Sequence, residues 1–264
     1  MKSRIILLVI GVVLIAALFF LPRSVVRNQD RALTSDSVGV ARDPHQTPQP
    51  LQHLISEVRS SWRKATSAEK SAIFADSLSG LYREASKFDS AAWFAEQAAM
   101  FFDHVDAWKK AGEAYYQAYT FSLDEQRQKE MAEKARHFLN KVLARDPGNL
   151  DVKCQVAMTY LSSSPMQGVA MLREVLDADP NNQTALFNLG MLSIQSGQYQ
   201  LAGGRLEKLL EINPAHTQGR LLLGVAYMNT GNKKKAREQF ELVKQADPDP
   251  AVQATADSYL KDLK

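Results

Sequence analysis

Apolar residues are distributed along this chain in two ways. Between Ile5 and Leu21 they form one unbroken run, Gly11 included, with Lys2 and Arg4 before it and Pro22-Arg23 after it. The 17 residues of this run, at about 1.5 Å each, cover roughly 26 Å, close to a hydrocarbon core of about 30 Å, and predict a transmembrane helix. From residue 51 the apolar positions recur instead at helical spacing. Leu51, Leu54, Ile55, Val58 and Trp62 fall on one face of an amphipathic helix, which is expected over residues 51–65 as a cap on the helical region beyond it. Between these stretches, residues 28–50 turn polar and carry Asp43-Pro44, Thr47-Pro48 and Gln49-Pro50, the composition of a flexible tether. Pro50 suits the first turn of the cap helix.

Beyond Trp62 the helical pattern is itself repeated. Asn182 to Pro248 holds two units in which Gly190 and Gly224, Gly197 and Gly231, Ala202 and Ala236, Leu206 and Phe240, and Pro214 and Pro248 stand 34 residues apart. A fixed period of that length predicts stacked helical hairpins. Within each hairpin, Ala111-Gly112, Gly190 and Gly224 on the first helix, with Ala91, Ala135, Ala202 and Ala236 on the second, let two helices approach closely. Gly197 and Gly231 end first helices, where the backbone often needs positive φ, and the prolines end second helices because they lack an N–H. Gly203-Gly204 would cost about 1 kcal/mol each in a helix interior, and close packing is the expected reason for them.

Three more units precede these. The first, over about 72–104, is degenerate: it runs through Leu78, Tyr82, Phe88, Ala91, Ala95 and Ala98, comes after a capping box at Thr66-x-x-Glu69, and has Asp103 where its proline would stand. The second, 105–149, opens with Trp108-x-x-Ala111-Gly112-x-x-Tyr115. It carries eleven extra positions around Thr120–Lys129, which lengthen its turn or its second helix. The third, 150–182, runs through Ala157, Tyr160, Gly168, Leu172, Val175 and Pro180. The units 183–216 and 217–250 complete an array spanning 66–250, and residues 251–264 predict a terminal capping helix.

Leu189-Gly190, Leu223-Gly224-x-x-Tyr227, Ala236-x-x-x-Phe240 and the unit-ending prolines resemble the tetratricopeptide repeat (TPR), and the whole resembles a membrane-anchored bacterial TPR protein. The resemblance implies an all-α fold: a right-handed superhelical solenoid of helix-turn-helix repeats, preceded by the transmembrane helix. It implies a binding module whose first helices line a concave face.

The positions between the packing residues of those helices are Lys109, Glu113 and Tyr116; Cys154, Met158 and Leu161; Phe187, Met191 and Ile194; Leu221, Val225 and Met228. The candidate protein-binding groove is therefore Tyr116, Met158, Leu161, Phe187, Met191, Ile194, Leu221, Val225 and Met228. Its methionines suit an apolar or helical peptide segment. Self-packing of the array, which would make these positions core, is the competing reading. The lysine and asparagine clamp that chaperone-type relatives close on a C-terminal carboxylate is not reproduced, because Glu113 stands at the asparagine position after Lys109.

Charge and chemistry narrow the picture further. Residues 1–31 carry five basic side chains against Asp30, and the remainder carries 27 basic and 28 acidic residues. The basic balance therefore belongs to the flanks of the apolar run, and no nucleic-acid partner is expected. Cys154 is the one cysteine, which excludes an intrachain disulfide and a cysteine-based metal site. His45, His53, His104, His137 and His216 have no second ligand at metal spacing, so surface or capping roles are expected. No phosphate or dinucleotide loop occurs. The expectation is a protein with no catalytic site, no metal and no cofactor.

The expected role is that of a membrane-tethered adaptor whose partners are a protein segment and, through residues 5–21, the bilayer. One alternative is an accessory factor for an envelope or cytochrome assembly enzyme, as similar anchored repeat proteins are. The other is a secreted repeat protein released by signal cleavage, although the run ends in Leu18-Phe19-Phe20-Leu21-Pro22, with bulky groups where a signal peptidase needs small ones. Basic residues on the two flanks nearly balance. A four-residue tail is a poor substrate for export, so the N-terminus is expected inside and the repeat region in the periplasm.

Overall fold

A computed structural model of the chain describes residues 47–263, and these divide between Asn149 and Leu150 into two compact units. The expected transmembrane helix and most of the tether lie outside the described residues. Among the described residues there are twelve helices and no strand, and none is long and apolar enough to cross a membrane.

The first unit holds α1 (Gln49–Arg63), α2 (Ala68–Glu84), α3 (Phe88–Phe102), α4 (Val105–Phe121) and α5 (Glu125–Arg145). The second holds α6 (Leu150–Thr159), α7 (Pro165–Ala178), α8 (Gln183–Gln195), α9 (Tyr199–Ile212), α10 (Thr217–Asn229), α11 (Lys233–Ala246) and α12 (Pro250–Asp262). Helices α2 to α11 pair in sequence as five hairpins.

Helix starts obey the local chemistry, with one correction. The α2 cap is Ser67, whose Oγ accepts from Lys70 N at 3.2 Å; Thr66 stands one residue too early. Asn182 Oδ1 accepts from Ala185 N at 3.0 Å, and 34 residues on His216 Nδ1 accepts from Gly219 N at 3.0 Å. Histidine replaces asparagine in the same job of satisfying an orphan helix donor. His104 does likewise for Ala107. Gly197 and Gly231 end α8 and α10 at φ +74° and +80°, the left-handed conformation that glycine adopts without strain.

Within the hairpins the helices approach until there is no room for a side chain. A Cβ on Gly112 would lie 2.6 Å from the Leu139 side chain, one on Gly190 2.9 Å from Leu206, and one on Gly224 2.5 Å from the Phe240 ring. The third hairpin is tighter still. Its first helix stops after ten residues, and a Cβ on Gly168 would meet the Ala157 carbonyl oxygen at 2.5 Å. Gly203 and Gly204 do not share this pattern. A Cβ at either meets nothing within 4 Å, and Gly204 borders an open hollow with Leu186 and Leu201, so close packing is not their reason.

The eleven-residue insertion extends helices rather than the turn. Helices α4 and α5 have 17 and 21 residues, against 13 and 14 in α8 and α9. Asp124 caps the longer α5, accepting from Arg127 N at 2.7 Å.

Neighbouring hairpins are tied by tyrosine hydroxyls. Tyr115 on α4 donates to Glu96 on α3, and Lys134 on α5 donates to the same carboxylate at 2.7 Å. Tyr227 on α10 donates to Glu207 on α9, with Lys235 Nζ 5.0 Å above its ring. Burial first, and then the accepting glutamate, pushes both phenols well above their ordinary range.

Between the first two hairpins, Asp103 takes the left-handed conformation at φ 42°. Its Oδ1 accepts from Trp108 Nε1 at 2.9 Å and Lys141 Nζ at 3.2 Å. The Trp108 bond, and after it Lys141, holds its carboxyl below the usual range. At the other end, α12 stacks Tyr259 on Phe240 with centroids 4.9 Å apart and buries Ala256 and Leu260 against the last hairpin.

These contacts fix the sign of four glycine substitutions. Gly168→Ala and Gly224→Ala should destabilise the chain by about 1–3 kcal/mol each, because a carbonyl and a stacked ring must move. Gly203→Ala and Gly204→Ala should each stabilise it by about 1 kcal/mol. Urea unfolding of the four variants checks both signs.

Candidate functional site

The first helices of the second unit were expected to present an apolar face. The structure buries part of that face between the helices themselves. Helices α8 and α10 pack side by side, and Phe187, Ile194, Leu221 and Val225 enter one core with Leu206, Leu222 and Phe240. Phe187 is 8% exposed and Leu221 4%, and the Phe187 ring lies 5.0 Å from His216. These four are structural, which corrects the expectation that all nine candidates line an open groove. Helical spacing marked them as non-consensus, but a neighbouring first helix covers them.

Leu161 is displaced for a different reason. It falls beyond the end of α6, and its side chain packs where a Cβ on Gly168 would come within 3.1 Å, so it seals a hairpin. Cys154, also counted on this face, is buried, with Sγ 3.9 Å from Asn182 Oδ1. Burial pushes its thiol up to about 12.

What remains partly accessible in the second unit is the methionine series, Met158 on α6, Met191 on α8 and Met228 on α10, each half-buried. Met191 and Met228 pack on the rim of the α8–α10 core, and Met158 on that of the α6–α8 core. Flexible thioethers on a firm apolar floor can reshape around an apolar side chain. Tyr116 belongs to the first unit, where it is half-buried and lies 6.1 Å from the Tyr119 ring. Lys109 and Glu113 on the same helix are 3.9 Å apart and exposed enough to be water-screened.

A second feature had no expectation attached to it. In the first unit, the C-terminal ends of α1 and α2 and the N-terminal halves of α3 and α5 surround a cavity of about 480 Å³. Trp62, Tyr82, Trp93 and Phe94 form its aromatic side. Trp62 meets Trp93 and Phe94 edge-on at 5.8 and 5.3 Å, and Tyr82 stacks on Phe94 at 5.4 Å. Arg59, Arg127 and Lys134 supply its cationic side, and Arg127 comes from the insertion. The one signal available beforehand was that insertion, together with two of the chain's three tryptophans.

Comparison with known proteins agrees with this architecture. Two tetratricopeptide-repeat family models match, over residues 162–214 and 193–256. No curated protein matches the chain. Among solved structures, a tetratricopeptide repeat protein from Parabacteroides merdae is 14% identical with a TM-score of 0.58, over 81% of this chain and 82% of that one. TTC0263, a thermophilic TPR protein of Thermus thermophilus, is 15% identical at 0.55, over 72% and 99%. MamA from Desulfovibrio magneticus, from its residue 41 onward, is 16% identical at 0.50, over 66% and 94%. At these identities the shared property is the fold, a TPR-type array of helical hairpins.

The burial of Cys154 has a direct chemical consequence. Iodoacetamide at pH 8 should leave it unmodified in the folded chain and alkylate it fully in urea, as read by intact mass; rapid labelling of the folded chain would contradict the placement.

Proposed function

We propose that this chain is a non-catalytic, membrane-tethered adaptor that holds a protein partner through the first-helix face of its second unit. The observation that carries this reading is the methionine series on successive hairpins. One methionine stands on the first helix of each of these three hairpins, Met158 and Met191 at equivalent positions and Met228 one turn further along its helix, and all three stay half-buried while Phe187, Ile194, Leu221 and Val225 are packed. Repetition of one adaptable side chain along stacked helices suits an extended apolar or helical segment, which is read at intervals rather than at a point. The TPR-type fold supports a protein-interaction role in general.

The tether belongs to the same reading. The apolar run Ile5–Leu21 is long enough to hold the chain in a bilayer, and the polar residues after it would set the repeats off the surface. The N-terminus then lies inside and the repeats on the extracytoplasmic side, with the bilayer and a polypeptide as partners.

Replacing Met191 and Met228 with Glu in the full chain should leave the helical circular dichroism unchanged. It should also abolish the partner captured by a photocrosslinker placed at Met158 in intact membranes. Retention of the same crosslinked partner would overturn the face assignment. Protease added on the extracytoplasmic side should degrade the repeats and spare an N-terminal tag; the reverse pattern would overturn the orientation.

A further inference from the structure

The aromatic cavity of the first unit carries chemistry that the adaptor face does not use. Its three cations meet two carboxylates. Arg127 pairs with Asp89 at 3.1 Å, and Lys134 with Glu96 at 2.7 Å. Arg59 has no carboxylate partner among the described residues; its Nη1 donates to the Tyr82 hydroxyl at 3.4 Å. The cavity therefore has a net positive wall.

A second donor is also unused. Trp62 Nε1 is buried and has no hydrogen-bond partner. Beside it, Trp93 is 42% exposed and lines the cavity, so part of its ring is open to a ligand.

These features define what fits. The aromatic side accepts an apolar or aromatic body, packed edge-on or stacked. The Arg59 guanidinium, exposed and without a carboxylate partner among the described residues, can hold a carboxylate with two parallel bonds. A cationic ligand, the usual guest of an aromatic cage, is disfavoured by the net positive charge that Arg59 leaves on the wall. The cavity lies where α1 and α2 end and α3 and α5 begin, at the hairpin edge.

We propose that this cavity binds a polypeptide segment presenting an apolar or aromatic side chain beside a carboxylate, with Arg59 taking the carboxylate and Trp93 the apolar group. The choice of a polypeptide rests on the adaptor reading; the residues involved are wholly separate from Met158, Met191 and Met228.

The test is a tryptophan-fluorescence titration of the full chain in neutral detergent, using the capped peptide acetyl-GLDFG-amide and its Asn counterpart acetyl-GLNFG-amide. The Asp peptide should give a saturable change and bind about ten-fold more tightly than the Asn peptide. Arg59→Gln should erase that difference, and Trp93→Ala should weaken both peptides while leaving the helical circular dichroism unchanged. Equal binding of the two peptides, or a preference that survives Arg59→Gln, would overturn the proposal. So would a Trp93-dependent response to phosphatidylglycerol vesicles without any response to peptide. The Met191→Glu and Met228→Glu double variant should bind the Asp peptide normally, which separates failure of this site from failure of the adaptor face.

Discussion

The fold depends on how closely two helices of one hairpin can approach. At Gly112, Gly190 and Gly224 the space of a missing Cβ is taken by Leu139, Leu206 and Phe240 from the opposite helix. That contact sets the depth of the second, fourth and fifth hairpins, and the depth in turn decides which residues are left to meet the next one. Where the rule is pushed further, at Gly168 against the Ala157 carbonyl, the first helix is cut short and the turn tightens through Ser163 and Ser164, whose backbone N–H groups both donate to Tyr160 O. Backbone against backbone leaves less to adjust than backbone against a leucine.

Once hairpin depth is set, stacking obeys a second rule. A tyrosine on the first helix of one hairpin donates to a glutamate on the second helix of the hairpin before it, as Tyr115 does to Glu96 and Tyr227 to Glu207. Each pair places a polar bond inside an otherwise apolar seam, where it costs little because both ends are satisfied and orients the next hairpin because the bond is directional. In the first unit the same tyrosine also walls the aromatic cavity, so the stacking device and the cavity share a residue.

The hairpins were legible in the sequence because glycine, alanine and proline stood at fixed offsets, and each has one dominant physical meaning at its position. A surface or capping role was expected of every histidine, and only the structure singles out His104 and His216 as caps. The first-helix face was less so. Phe187 and Leu221 have the same periodic signature whether they face solvent or a neighbouring helix, and only the lateral packing of α8 on α10 decides between the two. The cavity left only the insertion and two tryptophans as a trace, since its lining comes from five helices with no common period. Gly203 and Gly204 misled in the opposite sense: a glycine pair reads as crowding, and the helix around it is open.

Asp103 shows how far the units are interchangeable. At this junction the backbone adopts φ 42°, whereas proline holds φ near about −65°, so the residue that closes other units could not be installed here without rebuilding the joint. The carboxylate meanwhile receives the indole of the second hairpin and a lysine from its far helix. The first hairpin is therefore keyed to its successor. Transplanted elsewhere in the array, or replaced by a consensus copy, it would lose its fit, and the modularity of the later hairpins stops at this joint.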